Sequence, residues 1–152
     1  MYLSQVLKKY SDKKCILFVD MDGVIADFSV GDADHFLEKR PLLTSIQKLQ
    51  KIATFPNIEL HILSVCGKDK NIQEKNQWLD QYAPFFLSQN RHILSKESTK
   101  KHTMDLKKEF IASVFENSDK QIIIIDDDPN LLKEYDKMNL NLILLKDTVL
   151  ID

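Results

Sequence analysis

Glycine is scarce in this chain, with three in 152 residues at positions 23, 31 and 67. No GxGxxG or GxxxxGK pattern exists, which argues against dinucleotide binding and against a Walker-type nucleotidase. There are two cysteines, Cys15 at the start of one predicted strand and Cys66 just past the end of another. That placement suits free, buried thiols in a reducing compartment and excludes a disulfide framework. The four histidines, His35, His61, His92 and His102, show no zinc-like spacing and read as structural or solvated. No apolar run approaches the ~18 residues of a membrane span, and the stretch from Met1 to Lys9 lacks the layout of a signal peptide. A cytoplasmic protein with no membrane partner is therefore expected. Charge of one sign is also missing: 21 basic residues face 23 acidic ones, for a net charge of −2. Nothing in that balance pulls the chain toward nucleic acid, and a small charged metabolite is the more natural partner. The one local bias is the basic stretch Lys96, Lys100, Lys101, Lys107 and Lys108, which reads as a solvated helix face.

Linkers, repeats and low-complexity tracts are absent, so residues 1–152 are expected to form a single domain. Its 43% hydrophobic content suffices for one core. Apolar patterning predicts strands over 15–21, 58–65, 91–95, 121–126 and 140–146. Between them it predicts helices over 41–54, 69–82, 101–115 and 129–138, after a short amphipathic start at 2–10. Pro41 and Pro129 are expected at helix starts, where a missing amide donor does no harm. Strands alternating with helices imply βαβ units. The expected fold class is thus α/β, a three-layer α/β/α sandwich around a five-stranded, mainly parallel, Rossmann-like sheet.

Two of these strands end on acids. Cys15-Ile16-Leu17-Phe18-Val19 runs into Asp20-Met21-Asp22-Gly23, and Gln121-Ile122-Ile123-Ile124-Ile125 runs into Asp126-Asp127-Asp128-Pro129. A strand has period two, so Asp20 and Asp22 are expected to point the same way, with Gly23 allowing a sharp turn just beyond. Acids at the end of a buried strand need a counter-charge or a cation. In an open α/β sheet ligands bind outside the carboxyl ends of the strands, where these five acids would meet.

The stretch from Phe18 to Phe28, FVDMDGVIADF, resembles the first motif of the haloacid dehalogenase superfamily, and its wording is closest to the deoxyribonucleotidase branch. Ile62-Leu63-Ser64 is similar to the second motif, Lys100 or Lys101 to the third, and Ile125-Asp126-Asp127 to the fourth. Lys75-Asn76-Gln77-Trp78-Leu79 is similar to the helix that follows the second motif in that branch. The resemblance implies a magnesium-dependent (Mg2+) phosphatase that hydrolyses a phosphomonoester through an aspartyl-phosphate, with a nucleoside monophosphate as the substrate class. It implies Asp20 as nucleophile, and Asp22 as the group that protonates the leaving oxygen and then takes a proton from water. Ser64 and one of Lys100 and Lys101 would hold the phosphate. Metal would be held by Asp20, the backbone carbonyl of Asp22, and Asp127 or Asp126. Asp128, before Pro129, is expected to cap the next helix, Trp78 to lie in the core, Lys75 to reach phosphate or solvent, and Asp27 to anchor its loop.

One departure from that family concerns substrate choice. The branch inserts a helical cap after its first motif, whereas only about a dozen residues separate Phe28 from Pro41 here. A minimal cap leaves room for a macromolecular substrate, such as a nucleic-acid end or a phosphoprotein, or for a lid from another subunit of an oligomer. Two further readings differ in class. One is a binding module that keeps phosphate and metal without turnover. The other is a receiver domain, since residues 122–132 are similar to its first strand, but such a domain needs far more chain after the acids than is present here.

Overall fold

The structure is a computed structural model that describes residues 2–28 and 33–151. Helix α1 (Leu3–Lys9) precedes β1 (Cys15–Val19), and a short 3-10 segment (Ala33–Glu38) leads to α2 (Leu43–Ile52). Then follow β2 (Ile58–Cys66), α3 (Lys70–Tyr82), β3 (Arg91–Ser95), a single turn α4 (Lys96–Thr99) and α5 (Thr103–Asn117). Next come β4 (Gln121–Asp126), α6 (Pro129–Asp136) and β5 (Leu142–Lys146), followed by a 3-10 segment (Asp147–Leu150). All five strands pair in parallel, in the order β3-β2-β1-β4-β5. This is the expected α/β architecture.

β1 and β4 are neighbours at the centre of the sheet and are buried along their whole length, as both-face burial of a parallel strand requires. Alternate residues feed two cores. Leu17, Val19, Ile62, Ile123 and Ile125 pack beneath Val6, Leu49, Trp78 and Leu79 of α1, α2 and α3. Ile16, Phe18, Leu63, Ile122 and Ile124 face Ile111 of α5 and Leu131 and Tyr135 of α6. Helices on both faces make three layers, and no helix among the described residues is long and apolar enough to cross a membrane.

Three local expectations shift. β1 stops at Val19 rather than at residue 21, because the amides of Val24, Ile25 and Ala26 all converge on the Met21 carbonyl in a tight turn. Pro41 does not start α2. Its backbone bridges Ala26, Leu42 donates to the Ile25 carbonyl at 2.8 Å, and the helix begins at Leu43. The extra turn α4 was not anticipated; Ser95 caps it by accepting the Glu97 amide.

Candidate functional site

Strand parity decides what each acid meets. Position 20 continues the side of Ile16 and Phe18, and position 126 that of Ile122 and Ile124, so both acids reach the layer of α5. There Lys107 is 3% exposed, with its Nζ 2.8 Å from Asp126 Oδ2 and 3.2 Å from Asp20 Oδ1. Ser64 continues the other parity, that of Ile58, Leu60 and Ile62, and meets α3. It is fully buried, and its hydroxyl accepts a hydrogen bond from Lys75 Nζ at 2.7 Å.

Asp20, Asp126 and Asp127 each offer a carboxylate oxygen within 4.8 Å of the others. Three hard oxygen donors so close together suit a hard divalent cation in kind and spacing. Asp126 also accepts the Asp128 amide at 3.0 Å, which fixes its second oxygen. Among the described residues only Oδ1 of Asp20 is engaged, leaving its other oxygen without a protein hydrogen bond. Burial pushes Asp20 up to about 6, against the pull of Lys107. Burial, with the adjacent charges of Asp20 and Asp126, pushes Asp127 up to about 7. Lys107 is the reverse case: burial disfavours its ammonium, but Asp20 and Asp126 hold the proton well above the ordinary lysine range.

Gly23 makes the cluster possible. Its φ of +78° belongs to the left-handed region, and a Cβ built on it would overlap the Asp127 carboxylate.

Asp22 departs from the expectation that it points with Asp20. Because the strand has already ended, the turn rotates Asp22 toward α3, where Lys39 Nζ lies 2.5 Å from Oδ1 and Lys75 Nζ 3.0 Å from Oδ2. Its carboxylate is therefore not part of the triad. Burial would raise the Asp22 carboxyl, but Lys75 and Lys39 together hold it below the ordinary value. Asp20, Asp22, Asp126, Asp127 and Asp128 nonetheless line one cleft of about 450 Å³, together with Phe28, Val65, Thr103, Lys107 and Leu131.

Lys100 and Lys101, the rivals for a phosphate-neutralising role, are not brought to this cluster. Lys100 is an exposed left-handed residue ending α4, and Lys101 pairs with Glu109 at 2.7 Å on the surface. Lys107, in the second turn of α5, stands beside the aspartates instead. Ser64 likewise lies behind the cleft wall, tied to Lys75. Asp128 caps α6 through the Asn130 amide at 2.9 Å, and Asp27 pairs with Arg40 at 3.1 Å on the surface, each as expected. Trp78 is in the core. Both cysteines are free and buried, and no histidine joins an acid-lined metal group among the described residues.

The residues that sequence reasoning missed are Lys107 and Lys39. A signal for Lys107 existed, since it lies on the apolar stripe of α5 with Ile111 and Val114, at i, i+4 and i+7. Lys39 follows a 3-10 segment and carries no periodic cue. Comparison with protein-family models and with curated proteins gives no match for this chain, so the functional reading rests on the motifs and the geometry of the cleft.

Proposed function

We propose that the chain is a magnesium-dependent phosphomonoesterase of the haloacid dehalogenase type, with Asp20 as its nucleophile. The observation that carries this reading is the convergence of Asp20, Asp126 and Asp127 within 4.8 Å at the carboxyl end of the sheet, with the buried Lys107 bridging two of them. The resemblance of residues 18–28 to the first motif of that superfamily supports it.

In the first step an Asp20 oxygen attacks phosphorus, the bond from phosphorus to the ester oxygen breaks, and the leaving oxygen takes its proton from solvent. Water then attacks the phosphorus of the aspartyl-phosphate, freeing inorganic phosphate and restoring Asp20. Asp22, kept ionised by its two lysines, suits the role of accepting the proton of that water. Lys107 holds Asp20 in position and offsets charge as the dianionic phosphoryl group approaches. Asp20, Asp126 and Asp127 would hold the magnesium ion, which when bound supplies charge neutralisation between phosphate and nucleophile.

The deciding experiment is phosphate release from an aryl phosphate and a panel of nucleoside monophosphates, with magnesium and with chelator. Wild-type protein should turn over only with the metal, and Asp20→Asn should be silent. An Asp20→Asn variant as active as wild type refutes the mechanism.

A further inference from the structure

The strap of residues 33–42 that leads into α2, where a cap would be expected, is fastened to the body of the protein. Trp78 Nε1 donates to the Lys39 carbonyl at 3.0 Å, and the Phe36 ring packs edge-on against Trp78 at 5.9 Å between centroids. Two backbone hydrogen bonds, from Asp27 to Arg40 and from Leu42 to Ile25, sew the end of the strap to the turn after β1. With its backbone pinned to α3, Lys39 projects inward and its side chain is 5% exposed.

Two cations share Asp22, one per oxygen. Lys75 uses its donors on Asp22 Oδ2 at 3.0 Å, Ser64 Oγ at 2.7 Å and the Val65 carbonyl at 3.1 Å, so it is committed three ways. Lys39 has Asp22 Oδ1 as its one hydrogen-bond acceptor among the described residues, and its ammonium otherwise faces the Phe36 and Phe28 rings at 5.0 and 5.7 Å. Lys75 alone would leave the carboxylate free to swing about its own axis. The second contact, on the other oxygen, fixes its plane. A buried ion pair is weak evidence for stability, because desolvation offsets most of its attraction. The strap already has Trp78, Phe36 and two backbone bonds to hold it.

We propose that Lys39 is a positioning residue: by gripping Asp22 Oδ1 it sets the orientation of that carboxylate at the cleft wall for proton transfer, so the strap works as a fixed strut of the site. This rests on the phosphatase reading above. Misplacing a proton-transfer group by about 1 Å costs on the order of a hundredfold in rate.

The test uses full-length Lys39→Met, Lys39→Arg and, as a surface control on the same strap, Arg40→Ala, assayed on an aryl phosphate with magnesium. Lys39→Met should lower kcat roughly ten- to a hundredfold while KM stays within about twofold, and Lys39→Arg should recover much of the loss. Arg40→Ala should match wild type. The side-chain carboxyl 13C resonance of Asp22 should move in Lys39→Met. An unchanged kcat with an active wild type overturns the proposal, as does a loss confined to KM or one matched by Arg40→Ala. If wild type releases no phosphate from any substrate, the phosphatase reading falls first, and an unmoved Asp22 resonance then removes the grip of Lys39 as well.

Discussion

Lys107 and Asp126 form an ion pair of 2.8 Å with both side chains all but sealed from water, at 4% and 3% exposure. Removing one partner of such a pair strands the other, at a cost of about 3–5 kcal/mol. Lys107→Met should therefore lower the unfolding free energy by about that amount in urea titrations near neutral pH. Lys100→Ala and Lys101→Ala, on exposed side chains, should each stay within about 0.5 kcal/mol. A mild Lys107→Met would show that the acids do not depend on it.

Metal and pH should act together on the acid cluster. Burial raises Asp20 to about 6 and Asp127 to about 7, above their unfolded values. Groups shifted this way favour the fold most when protonated, so their contribution is complete at low pH and is lost as pH rises through about 6 to 7. A divalent cation competes with those protons. Magnesium should thus raise Tm more at about pH 8 than at about pH 5 in thermal melts. An equal shift at both pH values would count against a carboxylate-held ion.

The histidine pair beneath α5 should titrate with the opposite sign. His61 Nδ1 and His92 Nε2 are 2.9 Å apart, one donating to the other, and His61 also contacts Glu59, which pairs with Lys120. Burial lowers both imidazoles, and the neighbouring His61 charge helps lower His92 to about 4. The unfolded chain then takes up protons first, so stability present above about pH 6.5 is lost as pH falls toward about 4. His92→Gln should flatten that acid limb in urea titrations across the range. A limb of unchanged slope would mean the pair is not its source.

Gly23→Ala tests the close approach to Asp127. An alanine at φ +78° is strained, and its methyl group would displace the Asp127 carboxylate. The expected result is a modest loss of stability, about 1–2 kcal/mol, beside a much larger loss of magnesium affinity, on the order of tenfold or more. Calorimetric titration with magnesium measures the second effect. Retained affinity would place the ion elsewhere.

Most of the sheet and the acids at its tip were legible because they depend on local pattern. Ile122 to Ile125 could hardly be anything but a buried strand, and the acids at its end have to lie where that strand stops. The direction of Asp22 was not legible. Period two holds only while the strand lasts, and three amides gathering on the Met21 carbonyl end it early. The lysines were harder still, because a lysine in sequence reads as solvated unless its partner is known. Lys75, on the buried stripe of α3 with Trp78 and Leu79, and Lys107, on that of α5, gave a faint cue. Lys39 gave none, since Trp78, remote in sequence, fixes its backbone.

The order β3-β2-β1-β4-β5 has a consequence for how the molecule is made. As the chain leaves the ribosome, β2 can pair with β1 early, but the other flank of β1 stays bare until β4 is synthesised and slides in beside it. A nascent fragment ending before β4 carries a raw, greasy strand edge, prone to aggregate and in need of a chaperone's shelter. The late-arriving segment that heals that edge also brings Asp126 and Asp127, so the acid cluster is complete only once the half-built sheet is safe from its neighbours.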